Sequence, residues 1–491
     1  MKVAIVSPEI APFIKTGGLA DVTGALPKYI NSDEFEVICI LPFYNSLNTG
    51  NSSIKQIGTI SLPESGVFHR AGVFKTFLPG STIPLYLLKY GPFFDRNGLY
   101  GENGLDYDDN DRRFALFCRG VFEVCRLTGF SPDVIHCNDW QTGLIPLFLK
   151  TFYSGDPFFN STSSLYTIHN LAFHGLFDPE RVINITGLPW KVYSMYGAEF
   201  HGGFSFQKSG IYYADFLSTV SRRYSEDIQH DESGMGMQGL LKSRSATMAG
   251  IVNGVDYKAW DPATDRQIRT NYDITRIDFK KENTEHLCSH CGLVYNSSAP
   301  VLGMVTRLTE QKGIDLIAGI MDELMQKDVR LVLLGTGDKY YHKIFTEFEE
   351  RYPGKINVSL RYDEGLSRLI YAGSDIFLMP SRFEPCGLGQ IISLRYGTIP
   401  VARETGGLAD TITPWRESKE IGTDVTGFLF RDYNPAALRE TLGSALQLFG
   451  DKEQWGRLMR NAMNTDFSWE TSAAAYESLY RKLCINYEGK K

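Results

Sequence analysis

Short unbroken apolar runs punctuate the chain, each followed by small or polar residues and then by apolar positions spaced three and four apart. Residues 3–6, 36–40, 85–88, 134–136 and 165–169 form one series of such runs. Runs of this length without alternation predict strands buried on both faces, as in a parallel sheet. After the first run, Leu19, Val22, Leu26 and Ile30 place one apolar stripe on a helix over 18–30. The alternation restarts at 301–305 and continues at 329–334, 358–360, 376–379 and 399–402. Strands alternating with helices predict an α/β chain with helices on both faces of a parallel sheet, and ligands beyond the strands' C-terminal ends. Between the two series, Asn253-Gly254-Val255-Asp256 and Trp260-Asp261-Pro262 signal turns, which puts a boundary at about 256–266. The expected domains are therefore 1–260 and 261–468, followed by a helix over 469–491 that carries an apolar pattern at 473–483 and crosses back to the first domain. The Gly-, Ser- and Met-rich stretch 230–250 reads as a mobile loop.

One hexapeptide occurs twice, as Thr16-Gly17-Gly18-Leu19-Ala20-Asp21 and as Thr405-Gly406-Gly407-Leu408-Ala409-Asp410. Each copy follows an apolar run and opens a helical segment. A glycine turn at a helix start offers free N–H groups to an anion, and Lys15 adds a mobile positive charge beside the first copy. The spacing matches neither the P-loop nor the dinucleotide fingerprint. Two such turns, one per half, suggest two domains serving one ligand.

At 491 residues the chain is too long for a single core. A net charge of −7 argues against a broad nucleic-acid footprint. The eight cysteines are scattered; Cys288 and Cys291, flanked by His286 and His290, make one CxxC that lacks the second half of a structural zinc site. No metal and no cofactor is expected. The N-terminal apolar run is too short for a signal peptide and no apolar stretch is long enough to span a bilayer. A cytoplasmic protein without membrane or nucleic-acid partners is the expectation, with a homo-oligomer left open.

Four groups of residues sit where strands end. Lys15 to Asp21 follow the first run. Arg307 and Lys312 follow 301–305, where two cations suit a diphosphate and its departure. Glu384, in Ser381-Arg382-Phe383-Glu384-Pro385-Cys386-Gly387-Leu388-Gly389, follows 376–379 and suits sugar hydroxyls. Asp139, after His136-Cys137-Asn138, and His169-Asn170 gather at neighbouring strand ends. Each group also has a plainer reading as a solvated loop, a helix cap or a packing histidine.

Taken together, residues 15–21, 136–143, 167–175, 307–313, 382–390 and 405–410 resemble the bacterial and plant-type glycogen and starch synthases, glycosyltransferase family 5, in order and over most of the chain. The resemblance implies a GT-B fold, two Rossmann-like domains facing each other across a deep cleft that closes during turnover. It implies transfer of glucose from ADP-glucose to the non-reducing end of an α-1,4-glucan, glycogen or a maltooligosaccharide, with retention of configuration. UDP-glucose stays open as donor, because related enzymes differ in nucleotide preference. By the family pattern Arg307 and Lys312 bind the diphosphate, Asp139 and His169 line the glucose site, and Glu384 supports the developing positive charge. Lys15, Gly17, Gly18, Asp21, Asn170, Tyr362, Gly387, Leu388, Thr405, Gly406 and Gly407 then face the donor, Tyr362 on the adenine side. Arg307→Ala and Lys312→Ala are both expected to lower turnover more than stability. A small-glucoside transferase, an epimerase and a silent glucan-binding scaffold are the rival readings.

Overall fold

In the computed structural model, which describes residues 1–50, 53–102, 104–416 and 421–488, the chain divides into two compact units. The first comprises Met1–Val220, Ser225–Ile251 and the C-terminal helix, and the second Ser221–Tyr224 and Val252–Ser468.

The first unit is built on a nine-stranded sheet. Its strands are β1 (Lys2–Val6), β2 (Glu36–Pro42), β3 (Lys55–Glu64), β4 (Val67–Phe77), β5 (Pro84–Lys89), β6 (Val134–Asn138), β7 (Ser163–Ile168), β8 (Phe216–Thr219) and β9 (Met248–Gly250). They lie in the order β9-β8-β7-β6-β1-β2-β5-β4-β3. From β9 to β5 all neighbours are parallel, with Ile5 of β1 opposite Cys39 of β2 and His136 of β6. Val3 to Val6 are fully buried, which is why this strand reads as an unbroken apolar run. β3 and β4 form an antiparallel hairpin at the edge, an exception to the parallel sheet expected from the sequence.

The helix α1 (Gly18–Ile30) buries Val22, Leu26 and Ile30 of the predicted stripe, and Leu19 at its start is half-buried. Residues 238–250, read from the sequence as part of a loop, instead hold a short helix, Gln238–Ser243, and the edge strand β9. Arg244 fixes this stretch by donating to the carbonyls of Ile211 at 2.7 Å and Ala214 at 2.8 Å. The last helix, α2 (Trp469–Glu488), packs on α1, β6 and β7. Tyr476 and Tyr480 are buried there, and the Tyr480 hydroxyl lies 2.8 Å from His136 Nδ1.

The second unit carries a six-stranded, wholly parallel sheet. Its strands are β10 (Val301–Val305), β11 (Arg330–Leu334), β12 (Ile356–Ser359), β13 (Ile376–Met379), β14 (Ile399–Arg403) and β15 (Phe428–Phe430), in the order β12-β11-β10-β13-β14-β15. Its core joins Leu302, Ile317, Leu331, Phe345, Ile399 and Leu438. Cys288 is buried on the helix Lys280–His290, and Cys291 follows it as the C-cap. Among the described residues no cluster of three or more His, Cys, Asp or Glu is arranged to hold a metal ion, and no helix is long and apolar enough to cross a membrane.

Each sheet reverses its winding once. In the first unit the chain passes from β1 outward through β2, then returns to β6 beside β1 and winds the other way. In the second it passes from β10 through β11 to β12, then returns to β13 beside β10. Parallel sheets open a crevice at such a point, because the loops after the two adjacent strands leave in opposite directions.

Candidate active site

At the reversal of the first unit, the loops after β1 and β6 carry most of the polar chemistry. Glu9 is buried after β1. Its Oε1 accepts from Thr16 Oγ1 and from Tyr100 Oη, both at 2.6 Å, and Oε2 accepts from the Thr16 amide. This carboxylate therefore fixes the start of the first glycine hexapeptide. Gly17 is the N-cap of α1 in extended backbone, and a Cβ there would meet no heavy atom within 4 Å. Lys15 Nζ lies 2.8 Å from Asp21 Oδ1, an exposed pair that closes over the helix start.

After β6, Asp139 sits at φ 57°, in the left-handed region. A non-glycine residue held there costs about 1–3 kcal/mol and needs fixed neighbours. They are present: its amide donates to Thr167 O at 3.1 Å, and its Oδ1 accepts the backbone N–H of His169 at 2.7 Å and of Asn170 at 3.4 Å. Burial pushes the Asp139 carboxyl up to about 7, against the pull of those two amides. Burial also pushes the His169 imidazole down to about 3, so the ring is neutral at physiological pH. Asp139 and His169 thus meet through a backbone amide, and the imidazole turns instead to Asn138, with Nε2 2.8 Å from Oδ1.

At the reversal of the second unit, β10 delivers Arg307 and Lys312, and β13 delivers Ser381 and Glu384. Lys312 Nζ lies 2.6 Å from Glu384 Oε2, and Ser381 Oγ donates to the same oxygen at 3.0 Å. The Lys312 side chain is 16% exposed and that of Glu384 7%, so this ion pair is largely out of water. Arg307 is exposed and has no side-chain partner among the described residues. The two loops are tied together by the Arg382 amide, which donates to Gln311 O at 2.8 Å. Tyr362 stands beyond β12, 78% exposed.

The second glycine hexapeptide follows β14. Gly406 has φ +44°, and a Cβ there would lie 2.0 Å from Glu384 O. At Gly407 a Cβ would lie 2.1 Å from Cys386 O, and its amide donates to Glu384 O at 3.0 Å. Glycine is needed here so that the chain can pass against the loop carrying Glu384. Contrary to the expectation of a free anion-binding turn, the Gly407 amide is committed inside the protein. Gln390 completes the arrangement, its Nε2 donating to Cys386 O, Gly387 O and Thr411 Oγ1 at 2.9, 3.0 and 3.1 Å. Gly387, at φ +73°, and Leu388, the N-cap of the helix Gly389–Arg395, lie in that same turn, and Thr405 caps the helix Gly406–Thr411.

Comparison with known proteins gives one answer along the whole chain. Residues 2–243 match the family described as starch synthase catalytic domain, and residues 293–461 match glycosyl transferases group 1. Glycogen synthase of Moorella thermoacetica is 44% identical over 98% of this chain and 96% of its own length. Glycogen synthase of Geotalea uraniireducens is 45% identical over 98% of both. The chain belongs to the glycogen synthase family. The catalytic domain of starch synthase IV from Arabidopsis thaliana, solved bound to ADP and acarbose, superposes with a TM-score of 0.90 at 30% identity over 99% of both chains. A sucrose-phosphate synthase from Thermosynechococcus elongatus shares the fold alone, at TM-score 0.63 and 17% identity. The fold is GT-B, with one Rossmann-like domain per unit, and the protein is a glycosyltransferase of the glycogen and starch synthase type.

Within the first unit, the structure gathers Lys15, Gly17, Gly18, Asp21, Asp139, His169 and Asn170 at the C-terminal ends of β1, β6 and β7. Within the second, it gathers Arg307, Lys312, Tyr362, Glu384, Gly387, Leu388, Thr405, Gly406 and Gly407 at the ends of β10, β12, β13 and β14. The sequence reading did not single out Glu9, Tyr100, Asn138, Ser381 or Gln390. Asn138, Ser381 and Gln390 stood inside quoted motifs. Glu9 and Tyr100 carry no local signal, because they are partners across 91 positions.

Proposed function

We propose that this chain transfers glucose from ADP-glucose to the non-reducing end of an α-1,4-glucan, with retention at the anomeric carbon. The observation that carries the reading is the pair Lys312–Glu384 beside Arg307, which has no side-chain partner among the described residues, at the sheet reversal. A diphosphate needs cations that are not already neutralised. Arg307 is available outright, and Lys312 is held in place by a carboxylate while keeping N–H donors that a phosphate can take. As the C1–O bond to phosphate breaks, the electron pair leaves with ADP, and both cations stabilise the added charge. The acceptor hydroxyl attacks C1 from the same face, and its proton passes to the departing phosphate oxygen. Glu384 offers negative charge to the oxocarbenium-like sugar without bonding to it. Asp139 and His169 hold glucose hydroxyls, and Lys15 adds positive charge toward the donor phosphates. Tyr362 offers an exposed ring to the adenine.

The test is a matrix of ADP-, UDP- and GDP-glucose, each with and without glycogen, read as nucleotide release and chain elongation. Elongation with ADP-glucose and an α-anomeric product support the reading. Elongation only with UDP-glucose overturns the donor assignment, and nucleotide release that glycogen does not increase overturns the acceptor.

A further inference from the structure

Asn138 is fully buried at the end of β6 and touches no solvent-facing chemistry of its own. Its Nδ2 donates to Val6 O at 3.0 Å and to His136 O at 3.3 Å. Both partners are carbonyls, which only accept, so the amide group faces them. The reverse orientation would set an oxygen against two buried oxygens with no proton between them. Oδ1 is therefore the atom turned toward His169 Nε2, 2.8 Å away, and an oxygen there requires a proton on Nε2. A neutral imidazole protonated on Nε2 keeps its lone pair on Nδ1, and Nδ1 has no partner among the described residues. Asp139 makes no hydrogen bond to the ring; its Oδ1 accepts instead from the backbone amides of His169 and Asn170.

We infer that Asn138 is a positioning residue that holds His169 as the tautomer protonated on Nε2 and so presents Nδ1 as a hydrogen-bond acceptor to a sugar hydroxyl. The assignment of that hydroxyl to the transferred glucose rests on the proposed function; the tautomer does not. Burial of the ring agrees with a neutral imidazole. The device resembles the way a second group fixes the orientation of a metal-bound histidine, with a carboxamide as the orienting group.

Two measurements on the full-length protein test it. Histidine-15N-labelled wild type at pH 7.5 is examined by long-range 1H–15N correlation, with the His169 ring identified by its disappearance in His169→Gln. The expected pattern is a neutral ring protonated on Nε2; an Nδ1-protonated ring or an imidazolium overturns the inference whether or not the chain makes glucan. The second measurement is a double-mutant cycle on kcat/KM. Asn138→Leu, close in volume, is expected to lower kcat/KM about 10–100-fold, the scale of losing an orienting partner. The same change in a His169→Gln background is expected to add less than twofold. A full additional loss in that background shows that Asn138 acts elsewhere and overturns the inference. If Asn138→Leu does not fold, Asn138→Ser replaces it in the same cycle. Absence of glucan synthesis by the wild type would remove the proposed function and leave the spectroscopic result to decide this one.

Discussion

Arg307 and Lys312 look alike in the sequence, yet the structure separates them, and substitution should reveal the difference. Arg307→Ala removes an exposed side chain that has no partner among the described residues, so folding stability should change by no more than about 0.5 kcal/mol. Lys312→Ala removes the counter-ion of a carboxylate that is only 7% exposed. Breaking a buried pair from one side typically costs about 3–5 kcal/mol. Here Lys312 is itself 16% exposed and Ser381 still donates to Glu384, so a smaller loss than that, about 2–3 kcal/mol, is expected. For a domain of this class that lowers Tm by about 4–12 °C. Under the proposed function both cations meet the departing diphosphate, so loss of either should reduce kcat by about 100–1,000-fold.

Adding Glu384→Gln to a Lys312→Met background removes both charges together. Stability should return to within about 1 kcal/mol of wild type, since a neutral pair carries no stranded ion, while kcat should stay low. The assay is paired: chemical denaturation followed by fluorescence for stability, and ADP release with glycogen as acceptor for turnover. Equal destabilisation by Arg307→Ala and Lys312→Ala would refute the reasoning, as would recovery of kcat together with stability in the double variant.

Three further outcomes follow from the same geometry. Gly17→Ala should leave stability within about 0.5 kcal/mol of wild type, since its Cβ enters open space, whereas Gly407→Ala should cost about 1–3 kcal/mol through collision with Cys386 O; matched denaturation curves of the two check this. His136 and His169 are held neutral down to about pH 3 whereas the unfolded rings take up protons near 6.5, so this pair adds up to about 2.7 kcal/mol of stability per pH unit as pH rises across that window, lost again on acidification. Asp139, raised to about 7, works in the opposite direction, its contribution present below the unfolded carboxyl value and lost as pH rises through 7; denaturation midpoints between pH 4 and 6.5 should therefore climb more steeply in Asp139→Asn, by about 1.4 kcal/mol per unit. Lys280→Met should cost about 1–3 kcal/mol by thermal melting, because the buried amine donates to Ala372 O, Tyr396 O and Thr398 Oγ1 at 2.8, 3.1 and 2.7 Å, and its loss strands Ala372 O while Tyr396 O keeps the Tyr272 hydroxyl and Thr398 Oγ1 keeps Ser374 O.

What could be read from the sequence was what parallel sheets impose. Strands buried on both faces need continuous apolar runs, so β1, β2, β6, β10, β13 and β14 announced themselves. The hairpin of β3 and β4 did not, because only one of its faces is buried: Ile60 and Leu62 alternate with exposed neighbours, and no run forms. Its Ser65-Gly66 turn, with both residues at positive φ, was the available signal. The site shows the same division. Several polar residues that follow a buried strand were legible as candidates, since the sheet itself places them, although Glu9 after β1 and Ser381 after β13 were passed over. Glu9 and Tyr100 were missed, since each is defined by a partner 91 positions away, and Gln390 because its tie to Thr411 lies outside its own turn. The two hexapeptides make the limit plain. Their six residues are identical, but the first opens to empty space and is gripped by Glu9 through Thr16, while the second is pressed against residues 384–386 and spends the Gly407 amide there. A motif specifies a backbone shape, and the neighbours at that shape decide its use. The repeat is therefore not evidence for two equivalent anion sites. It supports one exposed turn and one buttress that holds Glu384 against Lys312, and the contrasting stabilities of Gly17→Ala and Gly407→Ala distinguish these roles.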